Sequence, residues 1–203
     1  MTYDSDNKTC AEVGIIGLGL LSRNLMLTMS RLGYAVAGYD PDPARVRELL
    51  EKAQGLPVTA STTIEQFTRL LCQPRVILML MTGGPHLDGI LHDLCEHLDT
   101  GDLVVDGCCY HNVYTPWRRT TFSGHGIHYI AVGVGVPGIN HDYGCSILFP
   151  SLQETCRRVR PVFEAVAAHG SGEPCVTFIG QRVELHLGHL EKGTISRGVP
   201  TAS

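Results

Sequence analysis

The strongest constraint on this chain is the stretch from Val13 to Ser22. Val13-Gly-Ile-Ile16 is an apolar run that ends in the turn Gly17-Leu18-Gly19, followed by Leu20, Leu21 and Ser22. Beyond the turn, Leu21, Leu25, Met29 and Leu32 recur at helical spacing, and Gly33 stands where a helix C-cap belongs. A strand that enters a helix through two glycines is the opening of a βαβ unit. Such units repeat into a parallel sheet with helices on both faces.

The rest of the chain keeps that rhythm. Tyr34 to Tyr39 reads as a second strand. Asp42 and Pro43 then cap a helix that carries Val46, Leu49, Leu50 and Ala53 on one face and stops at Gly55. Val58 to Ala60 is a short strand, and Thr62 with Glu65 forms a capping box for a helix through Leu71. Val76 to Met81 is unbroken apolar sequence, as a strand covered on both faces should be. A helix opens at Pro85, a strand covers Leu103 to Val105, a helix lies near 113–123, and a strand runs from Ile127 to Val134. A short strand at Ser146 to Phe149, a helix from Leu152 to Ala168 and a strand from Val176 to Ile179 end the series. The expectation is an α/β fold, a Rossmann-like doubly wound and mostly parallel sheet. Three parts are expected: a polar extension over 1–11, a dinucleotide-binding domain over 12–180, and an irregular tail over 181–203, where Gly188, Gly193, Gly198 and Pro200 oppose a long helix.

Composition excludes several classes. The 203 residues carry 16 basic and 20 acidic side chains, a net charge of −4, which argues against a nucleic-acid binder or a polybasic membrane patch. No long uncharged apolar run marks a membrane span, and MTYDSDNKTC lacks the apolar core of a secretory signal, so a cytoplasmic protein with reduced thiols is expected. The eight cysteines form no CxxC pair. His86 with His92, and Cys95 with His97, read as solvated helix residues, and no metal site is expected.

The glycine turn carries the chemical signal. Gly17 permits the tight bend, Gly19 lets backbone approach a pyrophosphate, and the following helix offers free N–H groups and the positive end of its dipole. Ser22 stands where the fingerprint has its third glycine, needed for close helix–strand packing. Asp40, 23 positions after Gly17, is placed to accept hydrogen bonds from the ribose hydroxyls of NAD and to repel the extra phosphate of NADP. The alternatives are a tight turn that binds nothing and, for Asp40, a strand-end turn role before Pro41.

Several segments resemble the nucleotide-binding domain of the 6-phosphogluconate dehydrogenase family: GIIGLGLLSRNL, CQPRVILMLMTGGPHLDGIL, LDTGDLVVDG, GIHYIAVGV and RRVRPVFEAVAAHGSGEPCVTFIG, in order over residues 12–180. The resemblance implies an NADP-dependent oxidoreductase of the pentose phosphate pathway that decarboxylates a sugar acid. A lysine acts there as base, a glutamate supplies a proton, and asparagine, serine and glycine loops hold the substrate. It implies a cofactor site at Gly17, Leu18, Gly19, Leu20, Leu21, Ser22, Asp40, Met81, Thr82, Gly83 and Cys109. The family's large helical C-terminal domain is not expected in a chain that ends at Ser203.

Against that pattern the chemistry has drifted. The family's Asp-Gly-Gly-Asn-Ser loop reads Asp106-Gly107-Cys108-Cys109-Tyr110, and its Val-Ser-Gly-Gly loop reads Val134-Gly135-Val136-Pro137. Aligning Ile179-Gly180 puts His186 on the motif histidine, His189 on the catalytic lysine, Gly193 on its asparagine neighbour and Ser196 on the glutamate. His189 is the one candidate catalytic residue, since imidazole can act as a general base. The family's Asn-Arg-Thr is Asp40-Pro41-Asp42 with no arginine before Arg45, and a lysine of its fourth-strand loop is Met81. NAD is thereby favoured over NADP. Three readings stand: a silent nucleotide-binding module, an active oxidoreductase on another hydroxy-acid or sugar-acid substrate, and a truncated non-functional copy.

Overall fold

The structure, a computed structural model, describes residues 10–81, 85–107, 115–135, 146–149, 154–166, 169–170, 173–174 and 176–178. Strand β1 (Val13–Ile16), helix α1 (Leu20–Arg31), β2 (Val36–Tyr39), α2 (Pro43–Lys52) and β3 (Val58–Ser61) form the first half. Helix α3 (Ile64–Arg69) crosses to β4 (Val76–Met79), followed by α4 (Pro85–His97), β5 (Leu103–Asp106), α5 (Thr115–Gly124) and β6 (His128–Ala131). These six strands pair in the order β3-β2-β1-β4-β5-β6, all parallel. That is the Rossmann order, and its reversal between β1 and β4 opens a crevice at the carboxyl ends of the strands. Strands β1, β2 and β5 are buried at every position, as a doubly covered sheet requires.

Two apolar layers sandwich the sheet. On one face Phe67 of α3, Leu87, Leu91 and Leu94 of α4 and Phe122 of α5 pack against Ile16, Ile77, Met79 and Val104. On the other, Leu25, Met26 and Met29 of α1 and Leu49 of α2 cover Ile15, Val36, Leu78 and Val105. Val159 and Phe163 of α6 (Glu154–Val166) join this second layer. Each such side chain, fully buried, contributes about 1.5–3 kcal/mol, so these six apolar side chains of α1 and α4 dominate docking of those helices. Helix α2 is held more lightly: Leu49 is buried but Leu50 is exposed, so the apolar face expected over Val46 to Ala53 is narrower than its sequence suggests. Cys95 also departs from expectation, lying in the core and not in solvent, because it sits one turn after Leu91 on the core face of α4, with buried Leu98 just past the helix end.

Strand β7 (Gly133–Gly135) belongs to a second sheet with β8 (Ser146–Phe149) and β11 (Val176–Phe178), in the order β11-β8-β7. The single strand expected over 127–134 is therefore two, since Val132 closes the bond to Asp106 and the chain then leaves the main sheet. β8 pairs parallel to β11 and antiparallel to β7. Two-residue strands β9 (His169–Gly170) and β10 (Glu173–Pro174) make a small hairpin that the sequence pattern does not announce. The α3 cap also shifts by one residue. Thr63, not Thr62, accepts from the Gln66 amide, because Ser61 Oγ accepts the Thr63 N–H and holds that residue extended at the helix entry.

The amino edge of the sheet is tied by polar bonds. Buried Arg75 donates to Asp102 at 2.7 Å, to Asp99 at 2.8 Å and to the Thr68 carbonyl at 3.0 Å. Arg158 of α6 donates to the carbonyls of Gly101 and Pro74. At the same edge Cys10 and Cys72 form a disulfide, flanked by backbone bonds from Ala11 N–H to Leu70 O and from Cys72 N–H to Ala11 O. This overturns the expectation of reduced thiols throughout: the short pairing of Ala11 with Leu71 brings the two thiols together, although 62 residues separate them. No helix among the described residues is long and apolar enough to cross a membrane.

Candidate functional site: the glycine turn at the sheet switch point

Parallel register aligns the carboxyl ends of the strands in one row: Ser61, Tyr39, Ile16, Met79, Asp106 and Ala131. The glycine turn leaves that row at its centre, on β1. Gly17 has φ +90, the left-handed region that an L side chain rarely adopts. A Cβ there would lie 2.6 Å from Met81 Cγ and 2.7 Å from the Leu80 carbonyl oxygen, so the exits of β1 and β4 touch at the switch point. Gly17 N–H is used by the Tyr39 carbonyl. Met81, expected to stand where the family has a cofactor-binding lysine, packs beside Gly17 against the α4 layer.

Gly19 behaves differently. It is the N-cap of α1 with φ −66, and a Cβ built on it would meet nothing within 4 Å among the described residues. Neither backbone strain nor a neighbour among the described residues demands glycine there; what its missing side chain preserves is space over the helix end. The first helical bond runs from Arg23 N–H to Gly19 O, and among the described residues no side chain caps the helix. The amides of Gly19, Leu20 and Leu21 therefore precede the helical ladder, an arrangement that suits an anion. Leu20 is half exposed at this end, whereas Leu18 is wholly buried. These residues fit a pyrophosphate, with the cradle that a Cβ would fill left clear.

Ser22, expected to replace the third glycine, is buried, and α1 still lies close on the sheet. The closeness is supplied from the other side. A Cβ on Gly38 of β2 would sit 2.9 Å from Leu18 and 3.1 Å from Met26, so glycine on the strand makes room where the helix has none. Sequence reading missed Gly38; its signal is a lone glycine inside the apolar run YAVAGY.

Asp40 is buried, and it does more than await a ribose. Its Oδ2 accepts the Leu18 N–H at 2.8 Å and Arg45 Nη1 at 3.3 Å, and its Oδ1 accepts the Asp42 N–H at 3.0 Å. A carboxylate offers about four acceptor positions, so one remains for a hydroxyl. Both roles weighed for Asp40, turn residue and cofactor acceptor, thus fit a single side chain. Asp42 caps α2 through the Ala44 amide, and Arg45, half exposed, bridges Asp40 and Asp42.

On the far side of the crevice, the end of β5 is pinned by groups the sequence did not single out. Arg118 of α5 donates to Asp106 at 3.0 Å, the Tyr129 hydroxyl donates to the same oxygen, and Asp88 lies 3.5 Å from Arg118. Burial and the Asp106 charge raise the Tyr129 phenol well above its ordinary range, so it serves as a donor throughout. Thr82, Gly83, Cys109 and His189 lie outside the described residues, as do His186, Gly193 and Ser196. Gly135, at the position of the family's substrate-binding serine, lies in β7.

A sequence profile of the NAD-binding domain of 6-phosphogluconate dehydrogenase matches residues 12–180. The chain belongs to that family. It is 32% identical over 169 residues to the NADP(+)-dependent, decarboxylating 6-phosphogluconate dehydrogenase of Bacillus subtilis, covering 83% of this chain and 36% of the relative. It is 30% identical over 193 residues to the Schizosaccharomyces pombe 6-phosphogluconate dehydrogenase, covering 94% of this chain and 39% of that one. The solved Plasmodium falciparum 6-phosphogluconate dehydrogenase superposes with a TM-score of 0.76 at 26% identity, over 84% of this chain and 37% of that structure. An imine reductase from Myxococcus stipitatus, 16% identical with a TM-score of 0.68, shares the fold. The chain spans little more than a third of the length of the curated 6-phosphogluconate dehydrogenases it matches.

Proposed function

We propose that this member of the 6-phosphogluconate dehydrogenase family is a nucleotide-binding module that takes NAD(H) ahead of NADP(H) and does not by itself oxidise 6-phosphogluconate. The observation that carries dinucleotide binding is the uncapped start of α1 at the switch point, with open space over Gly19. Gly19, Leu20 and Leu21 would hold the pyrophosphate through their amides, and Asp40 a ribose hydroxyl through its remaining acceptor position. A bound nicotinamide dinucleotide supplies hydride transfer. Leu18 and Met81 shape the floor of this site, and Gly38 lets α1, with Ser22 buried, lie close on the sheet.

Preference for NAD(H) rests on charge. A 2′-phosphate beyond Asp40 would approach two carboxylates, Asp40 and Asp42, against one cation, Arg45, that is already paired to both. Calorimetric titration is expected to give tighter binding of NADH than of NADPH. A tenfold preference for NADPH would show instead that Arg45 turns away from its carboxylates to meet the phosphate, and the NAD(H) assignment would fall.

Silence toward a sugar acid rests on the residues that stand at the family's chemical positions. Cys109, Gly135 and Gly193 provide neither the amide nor the hydroxyl that would hold the substrate, and Ser196 cannot supply the proton a glutamate does. His189 could still lift a proton, but only from a hydroxyl held within about 3 Å. Each lost contact removes about 2–4 kcal/mol of transition-state stabilisation, and several together take turnover below detection. The assay is NAD(P)H formation at 340 nm with excess 6-phosphogluconate between about pH 6 and pH 9. Steady turnover that vanishes in His189→Ala would restore the enzyme reading.

A further inference from the structure

The peptide that joins Leu18 to Gly19 is gripped from behind. Arg23, one helical turn into α1, donates from Nη1 to the Leu18 carbonyl at 2.8 Å. Its Nη2 pairs with Glu48 of α2 at 3.0 Å, and its side chain is mostly buried between the two helices. The Leu18 N–H is taken by Asp40, and the Leu18 side chain is sunk in the core. Every group of Leu18 is therefore committed to the protein, and the ties come from different places: Asp40 just past β2, Arg23 of α1 and, through Glu48, α2.

Planarity gives this grip a direction. In a trans peptide the carbonyl and the following N–H point opposite ways. Holding the Leu18 oxygen on Arg23 therefore aims the Gly19 N–H away from Arg23. Gly17 and Gly19 flank Leu18, and glycine adopts both signs of φ about equally, so the intervening backbone has little intrinsic preference to keep that plane. A rotated plane would turn the Leu18 carbonyl, an acceptor, toward any anion over the helix end. The protein also keeps Arg23 in place although its Nε is buried with no hydrogen-bond partner among the described residues.

We infer that Arg23 is a positioning residue for the pyrophosphate of the dinucleotide, acting through the Leu18–Gly19 peptide and not by contact with the ligand. The inference rests on the dinucleotide-binding reading above. A carbonyl held by a guanidinium is a charge-assisted bond with a fixed plane. Glu48 completes the device by fixing the guanidinium from the α2 side, which also couples the phosphate turn to the helix that Asp42 caps.

The experiment is calorimetric titration of NADH and ADP-ribose into the native chain, Arg23→Met, Arg23→Lys and Glu48→Gln, with thermal melts and the Gly19 amide resonance followed in parallel. Arg23→Met is expected to weaken both ligands about tenfold and to move the Gly19 amide shift. Arg23→Lys, which keeps a donor, recovers part of the affinity, and Glu48→Gln, an exposed change that leaves the fold intact, weakens both ligands two- to threefold. Native-like affinity and an unmoved Gly19 resonance in Arg23→Met would overturn the inference while leaving the dinucleotide site standing. If Arg23→Met fails to fold, unchanged affinity in both Arg23→Lys and Glu48→Gln overturns it equally. Absence of NADH binding by the native chain would instead overturn the reading on which it rests.

Discussion

Removing the Asp40 carboxylate should unfasten the phosphate turn before it alters cofactor choice. Asp40→Ala leaves the Leu18 and Asp42 amides without their acceptor, and the Leu18 residue is fully buried. Two hydrogen bonds to a charged acceptor are worth about 1.5–3 kcal/mol each, and the half-exposed Arg45 pair adds about 0–1 kcal/mol. Allowing for partial rescue by water at the Asp42 amide, the expected loss is about 3–5 kcal/mol, or roughly 10 °C in melting temperature for a chain of this size. Asp40→Asn keeps one acceptor oxygen and should lose about half as much, while its neutral side chain narrows the gap between NADH and NADPH. Urea denaturation followed by circular dichroism measures the first effect, and calorimetry on the folded Asn variant measures the second. An Asp40→Ala protein within about 1 kcal/mol of the native one would refute the claim that this carboxylate holds the turn.

Two further changes probe the same frame from its two edges. Reducing the Cys10–Cys72 bridge frees a loop of 62 residues in the unfolded chain, which by chain entropy costs about 4 kcal/mol; calorimetric melts with and without dithiothreitol should differ by roughly 10 °C, and the Cys10→Ser, Cys72→Ser double variant should not respond to the reductant. At the opposite edge, Gly17→Ala forces a Cβ into a left-handed residue 2.7 Å from the Leu80 carbonyl oxygen, so stability should fall by about 2–4 kcal/mol and NADH affinity more than tenfold, with unchanged affinity counting against contact between the β1 and β4 exits as a feature of the site.

How much of this was legible in advance follows from what each signal depends on. Periodicity and caps are local, and they announced the strands and helices of the six-stranded sheet, the Asp42 cap and the left-handed Gly33 and Gly55. Boundaries moved where a tertiary partner intervened: Ser61 re-sited the α3 cap, and the end of β6 at Ala131 divided one apolar run between two sheets. The glycine turn was readable because Gly17, with its left-handed φ, is a backbone requirement written directly in the residue type, and Gly19 two positions on completes the Gly-x-Gly spacing. Its supports were not, since Arg23, Gly38, Arg118 and Tyr129 are ordinary residues until the fold sets them beside Leu18, Met26 and Asp106.

The sequence by itself therefore determined the βαβ alternation and the place of the glycine turn, because each depends on the spacing of residues along one strand or helix, and it carried the family in the resemblance of five segments over residues 12–180. Only the tertiary structure decided that Cys10 meets Cys72, that Asp40 spends most of its acceptor capacity on the turn, and that Arg75 and Arg118 are buried against carboxylates at opposite edges of the sheet. Apart from the Asp42 amide on Asp40, these are pairings between residues 12 to 62 positions apart. Their partners are chosen by strand order and register, which bring distant ends of the chain to one edge, and no local pattern encodes which ends those will be.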